Sequence, residues 1–541
     1  MMRIANGRVY DPQNGVNGEV RDLWIEGGRI VAPTQEAADR VVDATGLVVL
    51  PGGVDIHSHI AGPKVNAARR LRPEDHRRNV RARTAFLRAG SGYTVPSTFL
   101  TGYRYAELGY TTVMEAAVAP LAARHAHAEL NDIPVIDKGC YVTMGNNHFV
   151  MECIRRGRTE ELRDYVAWLL SAAKAYAVKL VNPGGVENWK CGRNSTGLDD
   201  RVTGFNVTPR QIIRALAQAN EDLGLPHSIH LHTNCLGQVG NYRTTVRTIE
   251  ALEGRRGHIC HIQFSSYGDA AGKGFRSGAA EVAEAVNQHR NVTVDVGQVI
   301  FGEATTMSSD APLEYELHRL TGAKWLSQDV EEESGGGVVP LVYRREDLFS
   351  ALQWAIGLEL FLLVEDPWRV MLTTDHPNGG PFTSYPQVIR LLMDRGYREE
   401  MLSRAHRRVG AYALLPQIGR EYSLYEIAIV TRAAPARALG LHNKGHLGPG
   451  ADADVAIYAP MADAEAMFSR PRYVIKGGRV VVEDGVVVAD CAGRTFYAGP
   501  EWSPGLEPEI RAYFERAYTV TMENYAVDLG SLRQSERVPC R

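Results

Sequence analysis

Seven short apolar runs through the middle of the chain constrain its fold more than any other feature. They are Thr111 to Met114, Pro134 to Tyr141, Ala177 to Val181, Ser228 to His232, His258 to Gln263, Val292 to Val296 and Val370 to Thr374. Runs that stay apolar instead of alternating are the signature of parallel strands covered on both faces. Helical stretches separate several of them: Glu160 to Tyr176 is amphipathic, and Thr208-Pro209 supplies an N-cap and a first-turn proline for a helix to about Leu223. A further strand at Val54, entered through Pro51-Gly52-Gly53, brings the count to the eight that a (β/α)8 barrel needs. Both ends of the chain read differently, as short strands joined by Gly-rich turns such as Gly27-Gly28 and Gly477-Gly478. The expected fold is therefore α/β: a TIM-like barrel over residues 51–430, and a small β-sandwich assembled from residues 1–50 and 431–490. Residues 491–541 form a mixed, polar C-terminal extension with no assigned place.

In such barrels, reactive groups sit at the C-terminal ends of the strands. The first strand ends in His57-Ser58-His59, two imidazoles on one side by the period of two, able to grip one metal ion. Lys179 lies within the fourth run, between valine and leucine, where a charged ammonium is expensive to bury. It reads either as a snorkelling or salt-bridged lysine, or as a neutral amine carboxylated by CO₂. The fifth run offers His230 and His232 on one face; His232 is nearer the strand end and is the expected ligand, with His230 in a deeper layer. In the sixth, His258 and His261 should fall on opposite faces, so His261, nearer the top, is favoured and His258 is left to the core or surface. The eighth ends in Asp375-His376-Pro377-Asn378-Gly379-Gly380. Asp375 either caps a helix or is a metal-bound carboxylate that moves protons beside an attacking water.

The order His-x-His, strand-four Lys, strand-five His, strand-six His and strand-eight Asp resembles the amidohydrolase superfamily with a carboxylated lysine, as in dihydroorotases and hydantoinases. Gly109-Tyr110-Thr111-Thr112-Val113 is similar to that superfamily's second strand. More narrowly, five segments resemble a family of subunits shared by formylmethanofuran dehydrogenases and formyltransferase/hydrolase complexes, over nearly the whole chain. These are Gly145 to Phe149, Lys179 to Gly185, Ser228 to Gly237, His261 to Gly268 and Thr374 to Phe382. The resemblance implies a metal-dependent amidohydrolase with two zinc ions. His57 and His59 would hold one and His232 and His261 the other, Lys179 as its carbamate would bridge them, and Asp375 would be both ligand and acid/base. The implied reaction is hydrolysis of a formylated methanofuran-type coenzyme to formate and the free furfurylamine, with the other subunits of a formyltransferase/hydrolase complex as partners. Condensation of formate within a formylmethanofuran dehydrogenase is the alternative, and abundant Arg and Ala with sparse Lys favours the methylotroph branch over it. A hydantoinase-type cyclic amidase and a non-catalytic scaffold remain as further readings.

The long segment from Ala61 to Leu108 carries Arg69, Arg70, Arg72 and, further on, Arg77, Arg78, Arg81, Arg83 and Arg88. Since coenzymes of this type have glutamate-rich tails, Arg69, Arg70 and Arg72 are candidate tail-binding residues; a solvated helix face or a contact with another chain is the competing reading. Asn147, after the third strand, either orients substrate or forms a plain turn. The bulk numbers agree with a cytoplasmic enzyme. Of 541 residues, 44% are hydrophobic and 23% charged, as in soluble globular proteins. A net charge of -3 excludes a general nucleic-acid binder. No apolar run is long enough to span a membrane, and the start Met1-Met2-Arg3-Ile4 predicts no secretory leader. The seven cysteines form no C-x-x-C pair, which predicts neither disulfides nor a thiolate metal site.

Overall fold

A computed structural model describes residues 1–193, 197–269, 274–328 and 336–541. The apolar runs become barrel strands β1 (Gly53–Ser58), β2 (Tyr110–Val118), β3 (Asp137–Thr143), β4 (Ala177–Val181), β5 (Ile229–His232), β6 (Gly257–Ile259), β7 (Val292–Asp295) and β8 (Val370–Met371). Each pairs in parallel with the next, from β1 through to β8. The circle is nearly closed by a parallel bridge between Ser58 and His376, where His59 N donates to His376 O at 2.7 Å. Every residue of β2, β3 and β4 is buried, as double-faced packing requires.

Two strands are shorter than their apolar runs suggest. Strand β6 stops at Ile259, and His261 just beyond it has a left-handed backbone with φ 37°. After β8, Asp375 is also left-handed, with φ 49°. Two non-glycine residues in this region, both at the same end of the barrel, mark the place where side chains are re-aimed.

The helix over Pro209–Asp222 starts as expected: Thr208 and Gln211 form a reciprocal capping box. The amphipathic stretch before β4 is helical over Thr159–Ala173. The two chain ends meet in one nine-stranded sheet, joined where Val455–Tyr458 runs antiparallel to Val48–Pro51. Ile4, Val9, Ile25, Val455 and Ile475 share its apolar core. The C-terminal extension joins the barrel sheet: Thr495–Ala498 pairs with Ser535–Val538 and, through Thr495, with Lys138 of β3. Its helix Glu507–Ala517 lays Tyr513 against Phe149 and Phe514 against Trp168. No helix among the described residues is long and apolar enough to cross a membrane.

Candidate metal centre

The strand ends open into a cavity of about 960 Å³. His57, His59, Lys179, His232, His261 and Asp375 all line it. His57 Nε2 lies 3.0 Å and His59 Nε2 3.3 Å from the same Asp375 oxygen, Oδ1. The His232 and His261 rings stand edge to face with centroids 4.7 Å apart, and His261 is 5.1 Å from His57 by the same measure. Lys179 Nζ donates to Cys260 Sγ at 2.9 Å and has no carboxylate within ion-pair distance among the described residues.

His261 reaches this site because β6 ends early. Alternation along a regular strand would send His258 and His261 to opposite faces, but the left-handed turn at His261 brings it in as well. His258 is therefore also interior, one layer deeper: its Nε2 lies 3.0 Å from Asp295 Oδ2 and its Nδ1 2.9 Å from Thr293 Oγ1. His230 occupies the same deeper layer, as its period-two relation to His232 implies, with Nε2 2.8 Å from His57 Nδ1.

The electrostatics suit a cation. Burial alone would push the Asp375 carboxyl up, but His261 and His57 overcome it and hold it well below the usual range. Burial holds His232 and His261 below ordinary imidazole values, which keeps their ring lone pairs available. Three buried atoms facing this space have no hydrogen-bond partner among the described residues: His57 Nε2, His261 Nδ1 and Asp375 Oδ1. Buried polar atoms are rarely left without a partner, and an imidazole lone pair beside a carboxylate oxygen is the donor set of a divalent transition metal. The ligand atoms of His57, His59 and Asp375 all lie within 4.8 Å of one another. A metal fits these residues. A second acidic cluster, Asp137 with Asp452 and Asp454, is instead neutralised by Lys444, Lys476 and Arg494.

Several residues of the site escape a reading of motifs alone. Glu115 of β2 accepts from Ile60 N and Ala61 N at 2.6 and 2.9 Å and lies 3.2 Å from His59 Nδ1, so it sets the pitch of that ring. Asp310 lies 2.9 Å from His232 Nε2 and accepts from Asn182 Nδ2 at 3.0 Å. Glu314, on the helix Ala311–Thr321, accepts from Thr306 Oγ1 at 2.8 Å, and burial holds its carboxyl well above the usual range. The only available signal was an acidic residue inside or just after an apolar run, as at Glu115 and Asp295.

The proposed substrate contacts sit elsewhere. Arg69 donates to Pro96 O at 3.0 Å and pairs with Glu129. Arg72 is buried, donating to Ala304 O at 2.9 Å with Glu303 at 3.3 Å. Arg70 is exposed, and none of the three lines the cavity. Arg69 and Arg72 thus help anchor the segment between β1 and β2. Asn147 caps the helix His148–Arg156, accepting from Val150 N at 3.0 Å and donating to Tyr165 OH at 3.1 Å. Asn147→Ala is expected to lower stability by about 1 kcal/mol with turnover unchanged, measured by urea unfolding beside a rate assay.

The amidohydrolase family model matches residues 40–482. The sequence is 48% identical to Protein FwdA of Methanocaldococcus jannaschii, across 97% of this chain and 96% of that protein. It is 42% identical to one of the subunits of the formyltransferase/hydrolase complex Fhc of Methylorubrum extorquens, with 100% of both covered. The crystal structure of the Methylorubrum extorquens FhcABCD complex with methylofuran contains a chain that superposes with a TM-score of 0.94, at 41% identity and with 100% of both chains covered.

Proposed function

The chain belongs to the amidohydrolase family as a metal-dependent hydrolase, and we propose that it cleaves the formamide bond of an N-formyl furfurylamine coenzyme of methanofuran type, releasing formate. The observation that carries the reading is the convergence of six strand-end residues on one cavity, in a chain alike over its full length to one whose complex was crystallised with methylofuran. By the same likeness, its partners are the other subunits of a formyltransferase/hydrolase complex.

In this reading His57 and His59 would hold one zinc ion, His232 and His261 would hold a second, and Lys179, as its carbamate, would be a ligand to them. Lys179 is buried on the cavity wall, its Nζ 2.9 Å from Cys260 Sγ. When bound, a zinc pair supplies Lewis acidity that polarises the formyl carbonyl and acidifies water. The protein's own part is positional and protonic. Asp375, kept ionised by its histidine neighbours, takes a proton from the water whose oxygen adds to the formyl carbon. It returns that proton to the nitrogen as the C–N bond breaks, leaving formate and the free amine. Trp189, Phe264, Tyr267, Tyr315 and Phe349 line the approach and suit a flat aromatic arm while excluding water.

Condensation of formate with the free coenzyme uses the same transition state and is the second reading. The test is formate release from the N-formyl coenzyme by the purified complex, before and after metal removal. Chelation is expected to suppress release by about 10²-fold or more, and Zn²⁺ to restore it. Turnover of hydantoin in preference to the formyl coenzyme would replace this reading with a cyclic amidase.

A further inference from the structure

Below the cavity floor, three histidines connect in series. His57 Nδ1 lies 2.8 Å from His230 Nε2, His230 Nδ1 lies 3.1 Å from His227 Nε2, and His227 Nδ1 lies 2.8 Å from Ala438 O. All three rings are buried, and the series crosses from the metal-facing layer to a half-buried backbone carbonyl beyond β5. A contact between two imidazole nitrogens is a hydrogen bond only if one carries the hydrogen and the other does not. A carbonyl oxygen only accepts, so His227 Nδ1 must carry the hydrogen. Burial, with His258 nearby, holds His227 down to about 3, so its ring is neutral and Nε2 is an acceptor. His230 must then donate from Nδ1 and accept at Nε2, and His57 must donate from Nδ1. With that hydrogen on Nδ1, Nε2 is the nitrogen left to present a lone pair to a metal ion, and it is the buried atom without a hydrogen-bond partner that faces Asp375 Oδ1 at 3.0 Å.

Asp295 points the same way independently. Its Oδ2 lies 3.3 Å from His57 Nδ1, and a carboxylate also demands a hydrogen there. Thr373 Oγ1 and His261 N donate to its Oδ1 at 2.7 and 3.0 Å, which fixes it in place. With the opposite set of tautomers, ring lone pairs would face both Ala438 O and Asp295 Oδ2.

We propose that His230 and His227 are positioning residues that transmit the polarity of the Ala438 carbonyl to His57 and lock it in the tautomer that presents Nε2 to a metal ion. The proposal rests on the reading of His57 as a metal ligand. Groups that orient a ligating histidine typically contribute 10–100-fold in metal affinity. A relay through two further imidazoles makes a distinctive demand: each link must accept on one side and donate on the other. Glutamine can do both; leucine can do neither.

The experiment is Zn²⁺ affinity of the full chain by chelator competition, alongside the thermal midpoint of the metal-free protein. His230→Leu is expected to weaken Zn²⁺ binding by about 10–100-fold, while His230→Gln stays close to wild type and the metal-free midpoints of the two agree. His227→Gln against His227→Leu repeats the comparison farther from the metal, and carries the test should His230→Leu fail to fold. Wild-type affinity in a folded Leu variant, or equal loss in Gln and Leu, overturns the relay. His57→Ala is the reference: loss there with no loss in the Leu variants refutes the relay alone, whereas wild-type affinity in His57→Ala refutes the ligand assignment beneath it.

Discussion

Asp375→Asn is expected to slow formate release by about 10²–10⁴-fold, the range contributed by a positioned acid–base group. Asparagine keeps the shape and one carbonyl oxygen, so the contacts near His57 Nε2 and His59 Nε2 can largely persist. It cannot take up a proton at neutral pH. Metal content measured on the same samples separates the two roles of the residue: Asn with full metal and slow turnover isolates proton transfer, whereas Asp375→Ala removes a ligand as well. The leaving group gives a second handle. If Asp375 protonates the departing nitrogen, its loss should matter less for a formyl anilide, whose amine leaves more readily, than for a formyl alkylamine. Less than a tenfold loss with metal retained would place the base elsewhere, and Asp310 beside His232 is the next carboxylate on the cavity wall.

The barrel and the convergence of its strand ends were readable because both depend on local pattern. Continuous apolar runs marked strands covered on two faces, and alternation put His57 with His59 and His230 beneath His232. The same rule failed at His258 and His261, because it presumes an extended chain and β6 ends at Ile259. Nothing in the residue types announces a left-handed turn at a histidine. Residues that act through partners distant in sequence were harder still. Glu115 is a carboxylate in an apolar strand until Ile60 N and Ala61 N are seen to converge on it. Asp310 is the N-cap of the helix Ala311–Thr321, a role its residue type already explains, yet it also sits against His232. Arg69 and Arg72 show the converse: arginines abundant in a segment looked like a ligand-binding surface, but their partners Glu129 and Glu303 lie 60 and more residues away. The two β-rich ends were recognisable separately, and the C-terminal extension was not, since one strand pairing with the barrel leaves no mark in composition.

Lys444→Met is expected to destabilise the fold by about 3–5 kcal/mol at pH 7, the usual effect of removing one partner from a buried ionic cluster. Lys444 Nζ sits 2.5 Å from Asp137 Oδ2, 2.9 Å from Asp452 Oδ2 and 2.5 Å from Asp454 Oδ2. Lys476, Arg494 and the more exposed Arg29, 2.8 Å from Asp452, complete a cluster of four cations around three carboxylates. Asp137 opens barrel strand β3, Lys476 closes a strand of the terminal sheet, and Arg494 belongs to the C-terminal extension, so the cluster ties three parts of the chain together. Methionine fills the space of the lysine stem but removes the one cation that touches all three carboxylates, leaving Asp454 to Lys476 and Asp452 to Arg494 and Arg29. The pH dependence follows from the carboxylates. Burial pushes Asp454 up, but Lys444 and Lys476 outweigh it and hold it at about 2, and Asp137 is likewise held well below its ordinary value. A depressed carboxylate contributes stability that is complete above its unfolded pKa, about 3.9, and is lost as pH falls through the folded value. Wild-type stability should therefore drop between about pH 4 and pH 2. In Lys444→Met the carboxylates protonate at higher pH, so the difference between the two proteins should be greatest near neutrality and shrink as the medium is acidified. Urea unfolding at pH 7, 5 and 3 measures this. A difference under about 1 kcal/mol at pH 7, the scale of exposed pairs, would mean that solvent reaches the cluster and that packing, not charge, joins the barrel floor to the terminal sheet.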